Sequence, residues 1–299
     1  MQLPKSLLLT CLYTSVLGAP VAEPAAVQIQ KRSTLAAPWD EGAVREFPIH
    51  KSCNATERRQ LQRGLDDTVT LAKHAKDHVL RYGNDSAIYR KYFGNAPSAH
   101  VVGNFERIVA GDKADVLFRC DDPDGNCKLP AWGGHWRGEN ATGETVICEL
   151  SFTTRLYLEQ FCTRGYNVAN SPLNTYFGID LIHRLFHIPA IGENAVEHFA
   201  DTYEDILELG AHNGTFATRD SNSLQYFAAE VYGYDIAVPG VGCAGEPASK
   251  TSTTSAVPTM APTTEPSATK STQQSASATL DIPPVGPVPF VNAWSKAAF

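Results

Sequence analysis

Apolar residues recur at three- and four-residue intervals between Asn54 and Gly83, the spacing that places them on one face of an α-helix. They are Leu61, Leu65, Val69, Ala72 and Val79. Asn54 and Glu57 have the spacing of a helix-capping pair, and Gly83 is a residue type that ends helices. The pattern therefore predicts one long amphipathic helix near the start of the folded region.

Shorter helical and extended patterns follow this helix. In chain order they are helices 86–93 and 99–109, strands 114–120 and 144–150, a helix ending at Pro189, a helix 194–210 with Asn194 and Glu197 as its capping pair, and a helix from Asp220 or Ser221 through Val231. No internal repeat is visible. Many helices with a small strand element predict a mainly helical α+β domain rather than a doubly wound sheet.

The segment 182–189 reads IHRLFHIP, and its two histidines lie four residues apart within an apolar helical pattern. On a helix, His183 and His187 project from one face about one turn apart, so both imidazoles can reach a single metal ion. A histidine pair at this spacing also arises by chance, as core or capping side chains. The pair alone therefore leaves a metal site and a structural role open.

A third histidine follows across a predicted reversal of the chain. Pro189 blocks continuation of the first helix, and residues 190–193 form a turn. The next helix is predicted to open at Asn194, with His198 in its first turn. Three imidazoles around an open fourth position describe a zinc centre, so His183, His187 and His198 are the predicted metal ligands.

Arg184 occupies the position at which zinc peptidases with this histidine spacing carry a glutamate that deprotonates zinc-bound water. Arginine stays cationic and cannot act as that base. Four acids are candidates for a substitute base, a fourth ligand or a partner that orients an imidazole: Asp201, Glu193, Glu197 and Glu230. Asp201 lies three residues after His198 on the same predicted helix face, which suits orientation of its ring. The alternative for each acid is a solvated helix surface, and for Glu197 a capping box.

Composition excludes some classes of partner. The chain has 299 residues, of which 43% are hydrophobic, and a net charge of −7. This length suits one domain of ordinary size or two small ones. The acidic excess argues against a nucleic-acid partner, because phosphate binding needs concentrated Lys and Arg.

The termini predict an exported protein. Residues 1–19 have a charged start, a short apolar run and small residues before a cleavage zone, the layout of a secretory signal peptide. The dibasic pair Lys31-Arg32 predicts a short pro-segment, 20–39. Residues 246–299 are rich in Ser, Thr and Pro, which predicts a disordered tail. A folded domain is expected at 40–245, with no transmembrane segment, in a protein that is secreted or held at the cell surface.

Cysteines and glycosylation sequons agree with export. Cys11 lies in the signal, and the remaining six are Cys53, Cys120, Cys127, Cys148, Cys162 and Cys243. An even number in an exported chain predicts three disulfides. Their connectivity stays open, although the short loop between Cys120 and Cys127 makes these two a candidate local pair. The Asn-x-Ser/Thr sequons are at Asn54, Asn84, Asn140 and Asn213.

Two other histidine patterns carry weaker signals. His74 and His78 are also four residues apart, but their charged neighbours favour a solvated helix face. His135 lies in the sequence WGGHW at 132–136, an aromatic loop that either borders a cleft or packs over a small core. No G-x-S-x-G sequence supports a serine nucleophile.

Most of the region 40–245 resembles the fungal pH-regulated surface antigen and major-allergen family, a branch of the deuterolysin-like zinc-peptidase fold. The likeness is carried by His183-Arg184-x-x-His187, His198-Phe199-Ala200-Asp201, Asn213-Gly214-Thr215, Asp235-Ile236-Ala237, the run Pro239-Gly240-Val241-Gly242-Cys243, ETVICEL followed by Phe152, and Cys162. The resemblance implies a zincin-like fold that binds Zn2+. In that fold the third ligand is an aspartate, which follows the second histidine by the interval that separates His198 from His187. The resemblance therefore supports a histidine, His198, in that role.

The resemblance implies extracellular zinc capture, with a zinc transporter or host proteins as partners and contacts with the cell wall or host. Members of the family can end in a Cys/His-rich tail, whereas here no histidine follows His212 and no cysteine follows Cys243. The folded three-histidine site would therefore have to hold the zinc. Two alternatives stay open: an active zinc metallopeptidase with a non-standard base, and an adhesion antigen in which zinc is structural.

Overall fold

Residues 38–247 of the 299-residue chain are described by a computed structural model. The predicted signal peptide 1–19 lies outside the described residues, as do nearly all of the predicted pro-segment 20–39 and tail 246–299. Within the described part of the chain, no helix has both the length and the apolar character that a membrane span requires. The elements below belong to one compact unit that begins at Gly42.

Helices make up most of this unit. In chain order they are α1 (Ala55–Tyr82), α2 (Ala87–Phe93), α3 (Ala99–Ala110), α4 (Glu149–Thr154), α5 (Phe177–Phe186), α6 (Pro189–Gly192), α7 (Tyr203–His212), α8 (Gly214–Ala217) and α9 (Ser221–Tyr232). Single 3-10 turns join several of them, and a π-helical turn, Gly233–Ala237, follows α9. The mainly helical α+β class predicted from the sequence is confirmed.

The capping pair predicted at the start of α1 is present. The Asn54 side chain accepts the Glu57 N–H at 3.0 Å, and the Glu57 carboxylate accepts the Asn54 N–H at 2.8 Å. Further along α1, a Cβ on Gly64 would lie 3.0 Å from the side chains of Phe177 and Leu181. The missing side chain at Gly64 therefore lets α1 pack closely against α5.

Helix α5, which carries His183 and has His187 as its C-cap residue, lies at the centre of the unit. It packs against α1 and α9, and the residues buried along it are Phe177, Gly178, Ile179, Asp180, Leu181, Ile182, Arg184, Leu185 and Phe186. Each fully buried Leu, Ile or Phe side chain stabilises the fold by about 2 kcal/mol relative to its exposed state. A helix buried on nearly every face cannot rotate or slide, so the orientation of its histidines is fixed by the core.

A small sheet covers one side of the helices. It contains β1 (Leu117–Arg119), β2 (Gly134–Trp136) and β3 (Glu144–Ile147) in the order β1-β3-β2. Strand β3 lies parallel to β1 and antiparallel to β2. The predicted strand 114–120 is confirmed over 117–119, and the predicted strand 144–150 is confirmed over 144–147. The segment after Ile147 is not extended, because Cys148 is the N-cap of α4. The pattern of apolar residues gave no signal for β2, whose first residue is a glycine.

The predicted helix 194–210 begins later than expected. Helix α7 starts at Tyr203, with Thr202 as its N-cap. Glu193 and Asn194 have φ angles of 54° and 52°, in the left-handed region that a right-handed helix cannot use. The chain between α6 and α7 is therefore irregular or extended, and the capping pair predicted from Asn194 and Glu197 is wrong.

Three disulfides are present, as predicted. They join Cys53 to Cys120, Cys127 to Cys148, and Cys162 to Cys243. The predicted local pair Cys120–Cys127 is wrong, because each of these cysteines is bonded to a cysteine that lies further away in the sequence. The segment before α1 runs beside β1, where the His50 N–H donates to the Phe118 carbonyl at 2.8 Å, and this brings Cys53 to Cys120.

All four sequon asparagines are exposed: Asn54, Asn84, Asn140 and Asn213. Two of them also cap helices through their side chains, Asn54 at α1 and Asn213 at α8. Exposure is necessary for glycosylation, which stays a prediction at all four sites.

Asp67 gives the fold a testable pH dependence. This half-buried side chain on α1 accepts the Leu158 N–H at 3.0 Å, and burial raises its pKa to about 6. The folded state therefore binds more protons than the unfolded state between about pH 4 and pH 6, and stability falls as the pH rises through this range. Without solvent screening, this pKa shift corresponds to a change of about 3 kcal/mol in the free energy of unfolding. Solvent screening reduces this to about 1 kcal/mol.

Asp67→Asn keeps an acceptor for the Leu158 N–H and removes the charge. We expect the free energy of unfolding to rise by about 1 kcal/mol at pH 8 and to change little at pH 4. Urea denaturation at both pH values measures this, with Asp66→Asn at the exposed neighbouring carboxylate as the matched control. An equal gain at both pH values would contradict the assignment.

Candidate metal centre

The described residues bring the three predicted histidines together. The Nε2 atoms of His183 and His187 lie 3.2 Å apart, and those of His187 and His198 also lie 3.2 Å apart. One ligand atom from each of the three rings lies within 4.8 Å of the other two. Tetrahedral zinc with Zn–N bonds near 2.05 Å holds its nitrogens about 3.3 Å apart. The spacing of the ring nitrogens therefore suits one shared cation.

Hydrogen bonds between the three imidazoles cannot satisfy all of their Nε2 atoms. His187 Nε2 faces Nε2 of both His183 and His198. A neutral imidazole nitrogen carries either one hydrogen or one lone pair. A single hydrogen or a single lone pair on His187 Nε2 would have to serve both neighbours. A metal ion accepts all three lone pairs at once, so the donor set fits a metal better than it fits a hydrogen-bonded cluster.

The N-cap residue of α9, Asp220, supports the segment that carries His198. The Asp220 side chain accepts the backbone N–H groups of Phe199 at 2.7 Å and Ala200 at 3.2 Å, directly after His198. It also accepts the Ser223 N–H as the N-cap of α9. One buried carboxylate thus ties the extended segment that carries His198 to the start of a helix.

Neighbouring side chains orient the other two rings. The Ser221 hydroxyl lies 3.4 Å from Nδ1 of His183, a contact that leaves Nε2 directed at the cluster. Trp136 of β2 stacks on His187, with ring centroids 6.2 Å apart and planes 14° apart. Partners of this kind fix the orientation of metal-bound imidazoles. The aromatic loop at 132–136 therefore borders the histidine cluster through Trp136.

The electrostatic environment keeps two of the three rings, those of His183 and His187, neutral. Burial, with smaller contributions from the neighbouring histidines and Arg184, lowers the pKa of His183 well below its ordinary value. Burial also lowers the pKa of His187 to about 4. Neutral imidazoles are the form that binds metal, because the ring nitrogen must offer its lone pair.

Arg184 points into the protein interior. Only 2% of its surface is exposed, and its Nη2 lies 3.1 Å from each carboxylate oxygen of Asp180. Arg155 Nε lies 3.2 Å from the same carboxylate. A Cβ on Gly134 would lie 2.5 Å from Arg184 Nη1, so the guanidinium also packs directly against β2. Arg184 therefore forms a buried ion pair within α5, and the same guanidinium packs against β2.

Asp180 is ionised in this arrangement. Burial disfavours its charged form, but the charges of Arg184 and Arg155 outweigh that effect and hold its pKa below the ordinary value. Arginine is cationic throughout the physiological range. The position after His183 thus carries a fixed positive charge that is compensated locally, and it offers no proton acceptor to a metal-bound water.

Glu230 is committed to other partners. Its carboxylate lies 2.7 Å from Lys91 Nζ and accepts the Tyr92 hydroxyl at 2.5 Å. Burial, followed by the nearby Glu230 charge, raises the pKa of Tyr92 well above its ordinary value. This buried polar group links α2 to α9 and has a structural role.

The other three acids are exposed. Glu193 forms an ion pair with Arg107 at 2.7 Å, and Glu197 forms a backbone bridge with Asp220. Asp201 does not share a helix face with His198, because the segment between α6 and α7 is not helical. None of the four candidate acids belongs to the ligand cluster that the described residues form.

His74 and His78 have a role that the sequence pattern missed. Nε2 of His74 and Nδ1 of His78 lie 2.9 and 2.7 Å from one carboxylate oxygen of Asp235. His78 is buried, so the solvated face predicted for this pair is wrong there. The contact fastens α1 to the π-helical turn. Asp235 lies 157 residues after His78 in the chain, so no local spacing could have indicated this contact.

Comparisons with known proteins identify relatives over most of the chain. Residues 5–246 match the family described as HRXXH: Putative peptidase family. Major allergen Asp f 2 of Aspergillus fumigatus is 62% identical over 208 residues, which cover 70% of this chain and 67% of the relative. The pH-regulated antigen PRA1 of Candida albicans is 51% identical over 209 residues, 70% of each chain. The family resemblance predicted from the sequence is confirmed.

A solved zinc peptidase from Grifola frondosa aligns with 60% of this chain and 97% of its own, at 12% identity and a TM-score of 0.44. At that score the likeness does not establish a common fold. The sequence matches establish the family. Its name describes the paired histidines and the arginine at 183–187. The chain belongs to the HRXXH putative peptidase family, together with these fungal antigens.

Proposed function

We propose that this chain is a secreted protein that captures extracellular Zn2+ through His183, His187 and His198. The observation that carries the proposal is the pair of 3.2 Å separations that directs three Nε2 atoms at one point. Burial keeps two of the rings neutral, which favours binding to a cation near neutral pH.

An exchangeable site is favoured over a closed structural one. Structural zinc sites are enclosed by four protein ligands, whereas residues 38–247 supply three to this cluster and leave a fourth position open. His198 is exposed, so the cluster is reached from solvent. This supports capture and release of zinc over the alternative in which zinc only holds an adhesion antigen together.

Peptidase chemistry has little support from the residues around the cluster. Arg184 is paired with Asp180, and two of the four candidate bases, Glu230 and Glu193, are held in ion pairs. General-base catalysis needs an acceptor within hydrogen-bond reach of the water. We therefore propose zinc binding without conventional peptidase turnover. The partners predicted from the family, a zinc transporter or host proteins, stay predictions.

The test is the zinc content and affinity of the full secreted chain. After loading and removal of excess metal at pH 7.4, we expect one zinc ion per chain, measured by atomic emission and by competition with a chromophoric chelator. The same sample is expected to show no chelator-sensitive cleavage of a mixed peptide library. Wild-type chain that holds no stoichiometric zinc would overturn the proposal, and zinc-dependent cleavage would restore the peptidase alternative.

A further inference from the structure

A second group of metal-ligand types lies on the other side of β2. Sγ of Cys127, Sγ of Cys148 and a ring nitrogen of His135 all lie within 4.8 Å of one another. The two cysteines form a disulfide, and His135 is only 4% exposed. A buried imidazole beside a disulfide has no role in the zinc capture proposed above.

One nitrogen of His135 is unsatisfied. Nε2 lies 3.0 Å from the Asp124 carboxylate, whereas Nδ1 is buried and has no hydrogen-bond partner among the described residues. Buried polar atoms without partners are rare, because each loses its hydration without compensation. With the Nε2 hydrogen donated to Asp124, Nδ1 carries a lone pair that nothing in the described structure uses.

Asp124 is itself held in place. Arg137 donates from Nε to one Asp124 oxygen at 2.9 Å and from Nη2 to the other at 3.1 Å. Metal-bound histidines generally donate their second nitrogen to a carboxylate in this way, which fixes the tautomer and raises the basicity of the ligating nitrogen. His135 therefore has the carboxylate partner that is expected of a metal-bound histidine, although it does not belong to the three-histidine cluster.

The three side chains come from ordered elements. His135 is the middle residue of β2 and pairs with Val146 of β3. Cys148 directly follows β3 and caps α4. Cys127 lies in a 3-10 turn, where its N–H donates to the Asp122 carboxylate at 3.0 Å. The backbone around the group does not depend on the disulfide alone, so the ligands stay close when the S–S bond is broken.

We propose that Cys127, Cys148 and His135 form a second, redox-gated site for Zn2+ or a similar divalent metal. A thiol reductant opens it: two RSH molecules become RSSR while the disulfide takes up two electrons and two protons to give two cysteine thiols. Binding of the metal then releases both thiol protons and forms two metal–thiolate bonds and one metal–imidazole bond. The fourth position is open to water.

The backbone geometry accommodates this change. The Cα atoms of Cys127 and Cys148 are 5.4 Å apart. Two sulfurs on tetrahedral zinc, each with a bond near 2.3 Å, lie about 3.8 Å from one another. Rotation about the Cα–Cβ bonds can produce that separation without movement of β3. A donor set of two thiolates and one imidazole binds zinc more tightly than it binds magnesium or calcium.

Co2+ is the probe that tests the proposal on the full-length chain. Oxidised chain is compared with chain reduced by a dithiol, which is removed under anaerobic conditions before cobalt is added. We expect a near-ultraviolet thiolate-to-cobalt charge-transfer band and one additional cobalt per chain only after reduction. The three-histidine cluster has no thiolate, so His187→Ala must retain the band, which separates this test from that of the proposed zinc capture.

Variants assign the band to its ligands. Cys127→Ser/Cys148→Ser is expected to abolish it, whereas the matched variant Cys162→Ser/Cys243→Ser is expected to retain it. Asp124→Asn is expected to weaken cobalt binding by about 10-fold to 100-fold, the usual effect of losing an outer partner. Absence of the band in reduced wild type, or its survival in Cys127→Ser/Cys148→Ser, would overturn the proposal.

A measurement on wild type covers the case in which the double variants do not fold. Reduced chain is alkylated with iodoacetamide with and without Zn2+, and the modified cysteines are located by mass spectrometry. Zinc is expected to slow modification of Cys127 and Cys148 at least about 10-fold, since metal-bound thiolates react slowly. Modification of these two at the same rate as the four cysteines of the other two disulfides would contradict the site.

Discussion

Zinc affinity is expected to fall at least about 100-fold when His187 is replaced by alanine. Loss of a partner that only orients a ligand already costs about 10-fold to 100-fold in metal affinity, and His187 is a proposed ligand itself. Its Nε2 lies 3.2 Å from both other ring nitrogens, so it is the shared member of the cluster. Competition against a chromophoric chelator at pH 7.4 measures the Kd of both proteins.

His212→Ala is the matched control, because His212 is exposed at the end of α7 and lies outside the ligand group. We expect it to bind zinc as wild type does. Circular dichroism and urea denaturation of the zinc-free proteins establish that His187→Ala is folded. If folded His187→Ala retains wild-type zinc affinity, the three-histidine cluster is not where zinc binds.

Arg184→Glu is expected to destabilise the domain rather than to restore a peptidase. The change places a second carboxylate beside Asp180, which is 3% exposed, and removes the nearest compensating charge. Breaking a buried ion pair by changing one partner costs about 3–5 kcal/mol, because the remaining charge is left buried. Urea denaturation measures the loss, and a peptide-library assay with and without chelator tests for cleavage.

Arg107→Glu is a control with the same change of charge at an exposed ion pair, Arg107–Glu193, and is expected to cost about 1 kcal/mol or less. The exchanged variant Asp180→Arg/Arg184→Glu restores opposite charges and is expected to recover part of the stability lost in Arg184→Glu. An Arg184→Glu protein that is as stable as wild type and cleaves peptides would show that this position faces the metal, contrary to the contacts observed.

The missing glutamate of the histidine motif has a structural explanation in these contacts. Arginine at position 184 does not stand in place of a base at the cluster, since its guanidinium lies between α5 and β2. The proposed metal ligands and the side chain at the position of the base therefore point in different directions. His183 and His187 face the cluster, and the residue between them in the motif serves the core.

The sequence by itself determined the local features of this protein. The capping pair at Asn54 and the four-residue spacing of His183 and His187 depend on contacts within one or two helical turns, and the fixed geometry of a helix turns such spacings into positions. The family resemblance was likewise carried by short motifs, among them His183-Arg184-x-x-His187. These features could be predicted without knowledge of any distant contact.

Only the tertiary structure decided which residues complete the site. His198 reaches the cluster because Asp220 ties the segment after it to α9, not because a helix begins at Asn194. The disulfide partners, the strand β2 and the burial of Arg184 likewise depend on residues far apart in the chain. Such contacts are selected by the packing of the whole core, whose energy is shared among many side chains, so no local spacing encodes them.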